Sequence, residues 1–229
     1  MATNFPTSLD SLTNPAAGDS LSSPSHSAQH SNVNDAVEAL QAKVGVDGSA
    51  VTSSLDYKVA NQGLTLVKSQ AVGASAISSL QITGCFSSTF DNYRVVYSGI
   101  KTSASGDVLL RLLNGTTPST TGYYRTIVYV TLSTNAVLAS SGINGPQWSG
   151  SSVNNTAQAH AASFDLLMPY QTEYTNYING SFFTSRTDVI GASINGNHQV
   201  ASSYDGIELY TSGITFSNGT VRVYGYNNG

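Results

Sequence analysis

From Leu64 onward, apolar residues recur at every second position, and this alternation limits the fold more than any other feature of the sequence. Successive side chains of a β-strand point to opposite faces of a sheet, so a period of two indicates strands with one buried face. The pattern is found in four segments, at Leu64 and Leu66, at Tyr93, Val95 and Tyr97, at Val128, Val130 and Leu132, and at Val221 and Val223. The region 64–229 is therefore predicted to consist of half-buried strands.

Five Asn-Gly pairs punctuate the same region and indicate antiparallel hairpins. This dipeptide adopts the positive φ angles that a two-residue hairpin turn needs. The pairs begin at Asn114, Asn144, Asn179, Asn195 and Asn218. The length of the region accommodates about eight to ten strands in one antiparallel β-sandwich, jelly-roll-like in type. The last strand is predicted over 220–226.

Composition supports a mainly β fold. The chain of 229 residues has 13 Tyr and 21 Gly, and only 10% of its residues are charged. Helical proteins are instead rich in Glu, Lys and Leu. The C-terminal region 64–229 is accordingly predicted to form a β knob.

The first 31 residues are expected to form an extended arm. They are rich in Ser, Thr, Asn, Ala and Pro, and their apolar residues are isolated, at Phe5, Leu9, Leu12 and Leu21. Such a segment cannot bury enough apolar area to offset the entropy lost on ordering. We therefore expect residues 1–31 to be ordered by docking onto a larger assembly.

A short helical neck is predicted over 32–63. Its apolar residues are spaced four, three and four apart, which places them on one helical face as a coiled-coil-like seam of Val33, Val37, Leu40 and Val44. Asn32 or Asn34 is expected to cap the helix, Asp35 and Glu38 to suit its positive N-terminal end, and Gly45 to end it.

The seam is too small to hold the helix as an isolated element, since burying four apolar side chains does not offset the entropy of ordering the helix. The sequence therefore predicts that this helix packs on a partner or on copies of itself. A second helical turn is expected at 54–60, with Gly63 ending it.

The charge distribution argues against a nucleic-acid partner. Residues 1–63 contain two Lys and six acidic residues, whereas 64–229 contain seven basic and seven acidic residues, which together give the net charge of -4. Nucleic-acid binding depends on clustered Lys and Arg that displace counterions from phosphates. The sequence offers no such cluster.

No secretory signal or membrane-spanning run is visible in the sequence, so membrane insertion is not expected. The single cysteine, Cys85, cannot form an internal disulfide, which fits assembly in a reducing cytoplasm. The segment from Thr83 to Phe86 supplies no group that would lower the pKa of a thiol. Cys85 is therefore expected to be a small buried apolar residue.

Both ends of the chain resemble a known class of protein. The segments FSSTFDNYRVV at 86–96 and GTVRVYGY at 219–226, with the strand at 109–113 around Arg111, resemble the C-terminal domain of many phage fibre and virion-decoration proteins. The segment HSAQHSNVNDAVEAL at 26–40 resembles the attachment module that precedes such domains.

This resemblance implies a homotrimeric, elongated appendage of a tailed bacteriophage, assembled in the host cytoplasm and located on the virion. The arm is then expected to bind other virion structural proteins, either of the capsid or of the tail. The knob is then displayed, as a receptor-binding tip for host-surface glycan or as a head fibre or cement protein that stabilises the capsid. A free lectin or TNF-like binding module is the alternative outside a virus, and the presence of an anchoring arm argues against it.

The sequence contains none of the strong catalytic, phosphate-binding or metal-binding motifs. We therefore expect no enzyme activity, catalytic residue, metal site or cofactor. The groups that could still serve an acid–base reaction are two pairs, His160 with Asp165 and His198 with Asp205, and the remaining carboxylates at Glu173, Asp188 and Glu208. The two histidines are expected to be solvent-exposed.

The twelve Tyr of the knob have two interpretations. Most are expected to fill the sandwich core with their hydroxyls at its edge, because a tyrosine ring is apolar at one end and polar at the other. A minority at Tyr170, Tyr174 and Tyr177 lie in a loop-prone stretch after Pro169 and are expected to present a surface for glycan contact.

Overall fold

The structure is a computed structural model that describes residues 25–61, 63–131, 134–153, 159–184 and 190–228, together with Gly18, Ser20 and Ser22. The described chain divides into two compact units. The first includes the described residues up to Asn61, and the second runs from Gly63 to Asn228.

The first unit contains two helices, α1 (His26–Val44) and α2 (Leu55–Ala60). The prediction that α1 starts near Asn32 was wrong, because the Ser25 side chain caps the helix by accepting from the Ala28 N–H at 3.5 Å. Residues 26–31 are polar and lack an apolar repeat, so periodicity alone could not include them. The prediction that Gly45 ends α1 is confirmed, with φ at 89° and its N–H bonded to the Gln41 carbonyl.

Because α1 starts at His26, Asp35 and Glu38 lie outside its first turn, which contains no acidic side chain. The two carboxylates therefore do not lie at the positive end of the helix, as the sequence predicted. Helix α2 forms where it was expected. Ser54 caps it by accepting from the Tyr57 N–H at 3.2 Å. It ends at Ala60 with Asn61 as its C-cap, so the prediction that Gly63 ends it was wrong.

The apolar seam of α1 is exposed within one copy of the chain. Val33, Val37, Leu40 and Val44 each keep between 45 and 52% of their surface accessible. No residue of α1 or α2 is buried. Neither of these helices is long and apolar enough to cross a membrane.

The second unit is mainly β, as predicted. Its described strands are β1 (Leu64–Ala71), β2 (Ser79–Ile82), β3 (Asn92–Thr102), β4 (Gly106–Asn114), β5 (Thr117–Pro118), β6 (Tyr123–Thr131), β7 (Ala136–Gly145), β8 (Trp148–Val153), β9 (His160–Leu167), β10 (Thr175–Thr184), β11 (Ile190–His198), β12 (Gly206–Thr211), β13 (Phe216–Ser217) and β14 (Thr220–Tyr226).

The described strands form two antiparallel sheets. The larger has the order β1-β14-β3-β9-β10-β11-β6-β7, with β13 paired to β3, and the smaller has the order β2-β12-β4-β5, with β8 paired to β4. Buried residues from both sheets form one hydrophobic cluster, which is consistent with a β-sandwich. The fourteen described strands exceed the expected eight to ten, and the two-residue strands β5 and β13, which leave no periodic signal, account for part of the excess.

The alternating pattern correctly predicted the central strands. Tyr93, Val95 and Tyr97 of β3 are fully buried, and so are Val221 and Val223 of β14, which spans the residues expected for it. In β6 the core-facing residues are Ile127 and Tyr129, whereas Val128 is exposed. Every residue from 127 to 130 is apolar, so the sequence did not reveal which face is buried.

Most Asn-Gly pairs are not hairpin turns. Only the pair at Asn114 joins two strands that pair with each other, β4 and β5. The pair at Asn144 ends β7, whose successor β8 belongs to the other sheet, and the pair at Asn218 separates β13 from β14, which both pair with β3. The pairs at Asn179 and Asn195 lie inside β10 and β11. In these strands glycine permits close backbone approach instead of reversing the chain.

Tyrosines fill the core with their hydroxyls paired, as expected for most of them. Tyr93, Tyr97, Tyr123 and Tyr177 are essentially inaccessible. The Tyr123 hydroxyl accepts from the Leu112 N–H at 2.8 Å and donates to the Ser119 carbonyl at 3.2 Å, and the Tyr177 hydroxyl donates to the Ser149 carbonyl at 3.1 Å. These bonds satisfy polar groups that would otherwise be costly to bury.

Cys85 is a buried apolar residue, as predicted. Its side chain has no accessible surface, and its thiol donates to the Ile82 carbonyl at 3.3 Å. Burial raises the pKa of the Cys85 thiol to about 12. The folded chain therefore holds this group as the neutral thiol.

His198 and His160 are buried, so the prediction that they are exposed was wrong. The His198 Nε2 donates to the Thr121 carbonyl at 2.9 Å and lies 3.0 Å from the Ser119 hydroxyl. Its ring lies 4.4 Å from that of Tyr123, centroid to centroid. His198 ends a strand whose Ser-, Asn- and Gly-rich sequence gives little sign of burial, whereas His160 is the first residue of β9.

The buried His198 predicts acid sensitivity of the fold. Burial lowers the pKa of this imidazole below its ordinary value of about 6.5, so the unfolded chain binds the proton more readily. The part of the free energy of unfolding that comes from keeping His198 neutral is fully present above a pH of about 6.5. It decreases as the pH falls, by at most about 1.4 kcal/mol per pH unit. Urea unfolding at several pH values should show a smaller acid loss for His198→Gln than for the wild type.

Ser119→Ala provides the control, because it removes a hydrogen-bonding partner without removing a titrating group. It should lower the free energy of unfolding about equally at each pH. If His198→Gln kept the full pH dependence of the wild type, burial of His198 would not be its source.

Candidate functional site

A polar groove crosses four neighbouring strands of the larger sheet, β10, β11, β6 and β7. It encloses about 360 Å³, at the lower end of the range for small-molecule sites. Its walls and floor comprise Tyr124, Arg125, Thr126, Ser141, Gly142, Ile143, Asn176, Asn195, Gly196 and Asn197. It lies entirely within the second unit.

Strand register arranges the polar residues of the groove in two rows. In the first row Asn176 pairs with Asn197, which pairs with Tyr124 on the next strand. Directly opposed residues of antiparallel strands share one face of the sheet. The rows therefore place side-chain amides and a phenol side by side.

The second row lies two residues along the same strands. Thr126 pairs with Asn195 on one side and with Ser141 on the other. All three residues are exposed, whereas Ile194 and His198, whose positions alternate with this row, are buried. The groove is thus on the solvent face of a sheet whose other face is core.

Glycine allows the backbones beside the groove to approach closely. A Cβ at Gly196 would lie 2.1 Å from the Tyr124 carbonyl oxygen, closer than atoms can pack. A Cβ at Gly142 would lie 3.3 Å from Cγ of Arg125, the residue opposite it on β6. The register between β6 and β7 shifts at this point, between Tyr123 and Arg125. Such irregularities re-aim side chains next to binding sites.

Trp148 connects the groove to the core. Its indole Nε1–H lies 3.2 Å from the Tyr124 carbonyl and 3.3 Å from the Asn197 carbonyl, and it donates to both. These carbonyls belong to two adjacent members of the first row. The Trp148 ring stacks on Tyr177 at 5.1 Å between centroids. A fully buried side chain thus fixes the backbone beneath two groove residues.

The chemistry of the groove suits a polyhydroxylated ligand. Asn side chains both donate and accept hydrogen bonds, as do the hydroxyls of Tyr, Thr and Ser. A tyrosine ring also offers an apolar face for the C–H surface of a sugar. Arg125 adds a positive charge, and its Nε is buried without a hydrogen-bond partner among the described residues. A ligand with an acceptor oxygen could supply the hydrogen-bond partner that this Nε–H lacks.

The predicted glycan-contact residues do not share one exposed surface. Tyr170 and Tyr174 are exposed, by 39 and 49%, but Tyr177 is fully buried in β10 beneath Trp148. The assignment of Tyr177 to an exposed surface was wrong, because it alternates with Asn176 on the opposite face of the strand. None of the three lines the groove.

The other site residues predicted from the sequence belong to the N-terminal part of the chain. Val33, Val37, Leu40 and Val44 lie on α1 and are exposed. The proposed arm residues, Phe5, Leu9, Leu12 and Leu21, lie outside the described residues.

Three of the carboxylates that are candidates for catalysis accept hydrogen bonds from neighbouring groups of the second unit. Asp165 accepts from Arg94 Nε at 2.7 Å and Nη2 at 2.8 Å, and from the Tyr226 hydroxyl at 2.7 Å. Asp205 accepts from the Gly115 N–H at 2.8 Å, and Glu208 accepts from the Ser79 hydroxyl at 2.6 Å.

The other two candidate carboxylates are Glu173 and Asp188. Glu173 is exposed, and Asp188 lies outside the described residues. Within the described part of one chain, no three His, Cys, Asp or Glu side chains are grouped so that they could hold a metal ion.

Sequence reasoning missed the groove because Asn195-Gly196 was interpreted as a turn. The available signal was the polar alternation at Asn195 and Asn197, which matches Tyr124 and Thr126 in period. Such alternation marks the outer face of a strand. It does not reveal that the two strands are adjacent.

Comparison with known protein families and with curated proteins finds no match to this chain.

The Arg94–Asp165 contact generates a stability prediction. Asp165→Asn keeps the shape of the side chain but removes the charge that accepts two hydrogen bonds from Arg94. Since Arg94 is 38% exposed and water can solvate it, we expect a loss of about 1 to 2 kcal/mol in the free energy of unfolding, measured in urea. Asp91→Asn, at an exposed carboxylate bonded to Gln171, should cost less than about 0.5 kcal/mol. Equal unfolding midpoints for the two variants would contradict a structural role for the Asp165 charge.

Proposed function

We propose that this chain is a non-enzymatic structural component of a tailed phage particle whose C-terminal domain binds a surface carbohydrate through the polar groove. The observation that carries the binding role is the pair of cross-strand rows, Asn176–Asn197–Tyr124 and Asn195–Thr126–Ser141, on the solvent face of a rigid sheet. The virion assignment is supported by the resemblance of segments 26–40, 86–96 and 219–226 to phage fibre and decoration proteins.

Physical features of the groove favour a carbohydrate over an apolar ligand. Its polar side chains are mostly uncharged hydrogen-bonding groups, and Ile143 is its one large aliphatic residue. The Arg125 charge favours a sugar that carries a carboxylate, such as a uronic acid. The groove also lies on regular strands, which hold binding groups more rigidly than loops do.

The proposal extends to the finer architecture. The C-terminal domain is a jelly-roll-like knob, and α1 packs as a coiled-coil-like neck in a parallel homotrimer. Exposure of all four seam residues in a single copy supports self-association, because about half of the surface of each, 45 to 52%, stays accessible to a partner. The part of the predicted arm that precedes α1, residues 1–25, then attaches the trimer to capsid or tail proteins, since residues 26–31 belong to the helix.

Carbohydrate binding can be tested with a pair of substitutions on one strand. Ser141 and Ser140 are consecutive exposed residues of β7, so their side chains point to opposite faces. Ser141→Trp should fill the groove and abolish binding to a panel of bacterial surface oligosaccharides, measured by array and then by calorimetry. Ser140→Trp should bind as the wild type does. Asn197→Ala should weaken binding about 2- to 10-fold, the value of one net hydrogen bond.

Two results would count against this function. Unchanged binding by Ser141→Trp would exclude the groove as the binding site. Failure of the wild type to bind any oligosaccharide of the panel, together with normal particle attachment, would favour a capsid-stabilising head fibre or cement protein without a receptor role.

Self-association through the seam can be tested at Leu40. Leu40→Asp would bring one carboxylate per copy to the same axis, which desolvation and mutual repulsion oppose. Native mass spectrometry at micromolar concentration should give trimers for the wild type and smaller species for this variant. Thermal unfolding of the second unit should shift by only a few degrees.

Gln41→Asp is the matched control, since Gln41 lies one residue round the helix and off the seam. It should remain trimeric. A monomeric wild type would contradict the proposed assembly, and identical behaviour of both variants would show that the seam is not the interface.

A further inference from the structure

Two histidines at the start of α1 point toward a common position. His26 and His30 are one helical turn apart, and their Nε2 atoms are 3.1 Å from each other. The ring centroids lie 4.4 Å apart, with the rings nearly perpendicular, at 83°. Both side chains are exposed, or nearly so, in a single copy of the chain. In a single copy one imidazole donates a hydrogen bond to the other across this distance, so the two ring nitrogens converge although neither side chain is buried.

These histidines continue the apolar seam. The seam residues Val33, Val37, Leu40 and Val44 are spaced four, three and four apart, and His30 and His26 extend this spacing by three and then four residues. Because α1 begins at His26, both histidines lie on the same helix as the four seam residues. Where copies of α1 pack along the seam, their His26 and His30 side chains occupy the next two layers of the interface.

We propose that His26 and His30 form a binding site for a divalent transition-metal ion, shared among the copies of α1 that meet at the seam. The inference rests on the proposed self-association, since the described part of one chain contains no group of three metal-binding side chains. Imidazole nitrogens are preferred ligands of Zn²⁺ and Ni²⁺. The ligand class therefore follows from the donor atoms.

The spacing of the nitrogens suits such an ion. With metal–nitrogen bonds of about 2.1 Å, two Nε2 atoms 3.1 Å apart subtend an angle of about 95° at the metal. That angle is close to the right angle between neighbouring ligands in octahedral coordination. Three copies would supply six imidazoles, which is a complete octahedral set.

A bound ion would also explain how polar layers fit an otherwise apolar seam. Neutral imidazoles brought together at an interface lose water and gain few partners, which is unfavourable. Coordination replaces those lost contacts and links the copies at the beginning of the helix. The apolar layers from Val33 onward then need to hold only the remaining turns.

The test uses the full chain after removal of metals with a chelator. Ni²⁺ is titrated by calorimetry, and native mass spectrometry of the same samples gives the number of ions per assembly. We expect micromolar or tighter binding, with one Ni²⁺ per three chains. His26→Gln with His30→Gln should abolish this binding, whereas Ser27→Gln with Ser31→Gln, at off-seam positions, should leave it unchanged. The buried His160 and His198 remain in every variant.

The outcomes separate the metal site from the proposed assembly. Trimers that form without metal and take up no Ni²⁺ would overturn the metal site while leaving the assembly intact. Binding of one ion per chain, or binding that survives the double His→Gln variant, would overturn the shared site. Leu40→Asp, which is expected to separate the copies, should lower the affinity for Ni²⁺ by about 100-fold or more, because at most two imidazoles per chain would remain. Unchanged affinity in that variant would likewise refute sharing.

Discussion

The packing of Trp148 is the constraint on which the rest of the second unit depends. Strand β8 pairs with β4 in the smaller sheet, yet its indole stacks on Tyr177 of the larger sheet and donates to carbonyls of β6 and β11. One side chain therefore joins the two sheets through both apolar area and directed hydrogen bonds. Because those carbonyls belong to Tyr124 and Asn197, packing in the core also sets the positions from which the groove residues project.

The groove is consequently a property of one strand face rather than of a loop cluster. Asn176, Asn197 and Tyr124 alternate along their strands with buried neighbours, so their spacing is fixed by the pleat and by hydrogen-bonded register. Close backbone approach at Gly196 and the register shift at Tyr123 shape this region further. A ligand binding there would meet groups already held in place, with little entropy to lose on the protein side.

The sequence predicted the elements whose local pattern was strong. Alternation in β3 and β14 gave their buried faces, and the heptad spacing gave most of α1 and its exposed seam. It could not give features that depend on distant pairing. Asn195-Gly196 has the composition of a turn, and only its pairing with Tyr124 and Arg125 shows that it lies in a central strand. Likewise, nothing near His198 or Tyr177 in the sequence indicates that both contact Trp148.

Cys85 gives this chain an internal reporter of its own opening. It is the single thiol of the sequence, it has no accessible surface, and burial raises its pKa to about 12. Since the thiolate is the nucleophile that attacks an alkylating reagent, the folded protein should be nearly inert to such reagents, whereas an unfolded thiol with a pKa of about 8.5 reacts readily. The rate of alkylation therefore measures how often the core around Ile82 and Phe86 opens. A native side chain thus does the work for which an engineered label is usually introduced.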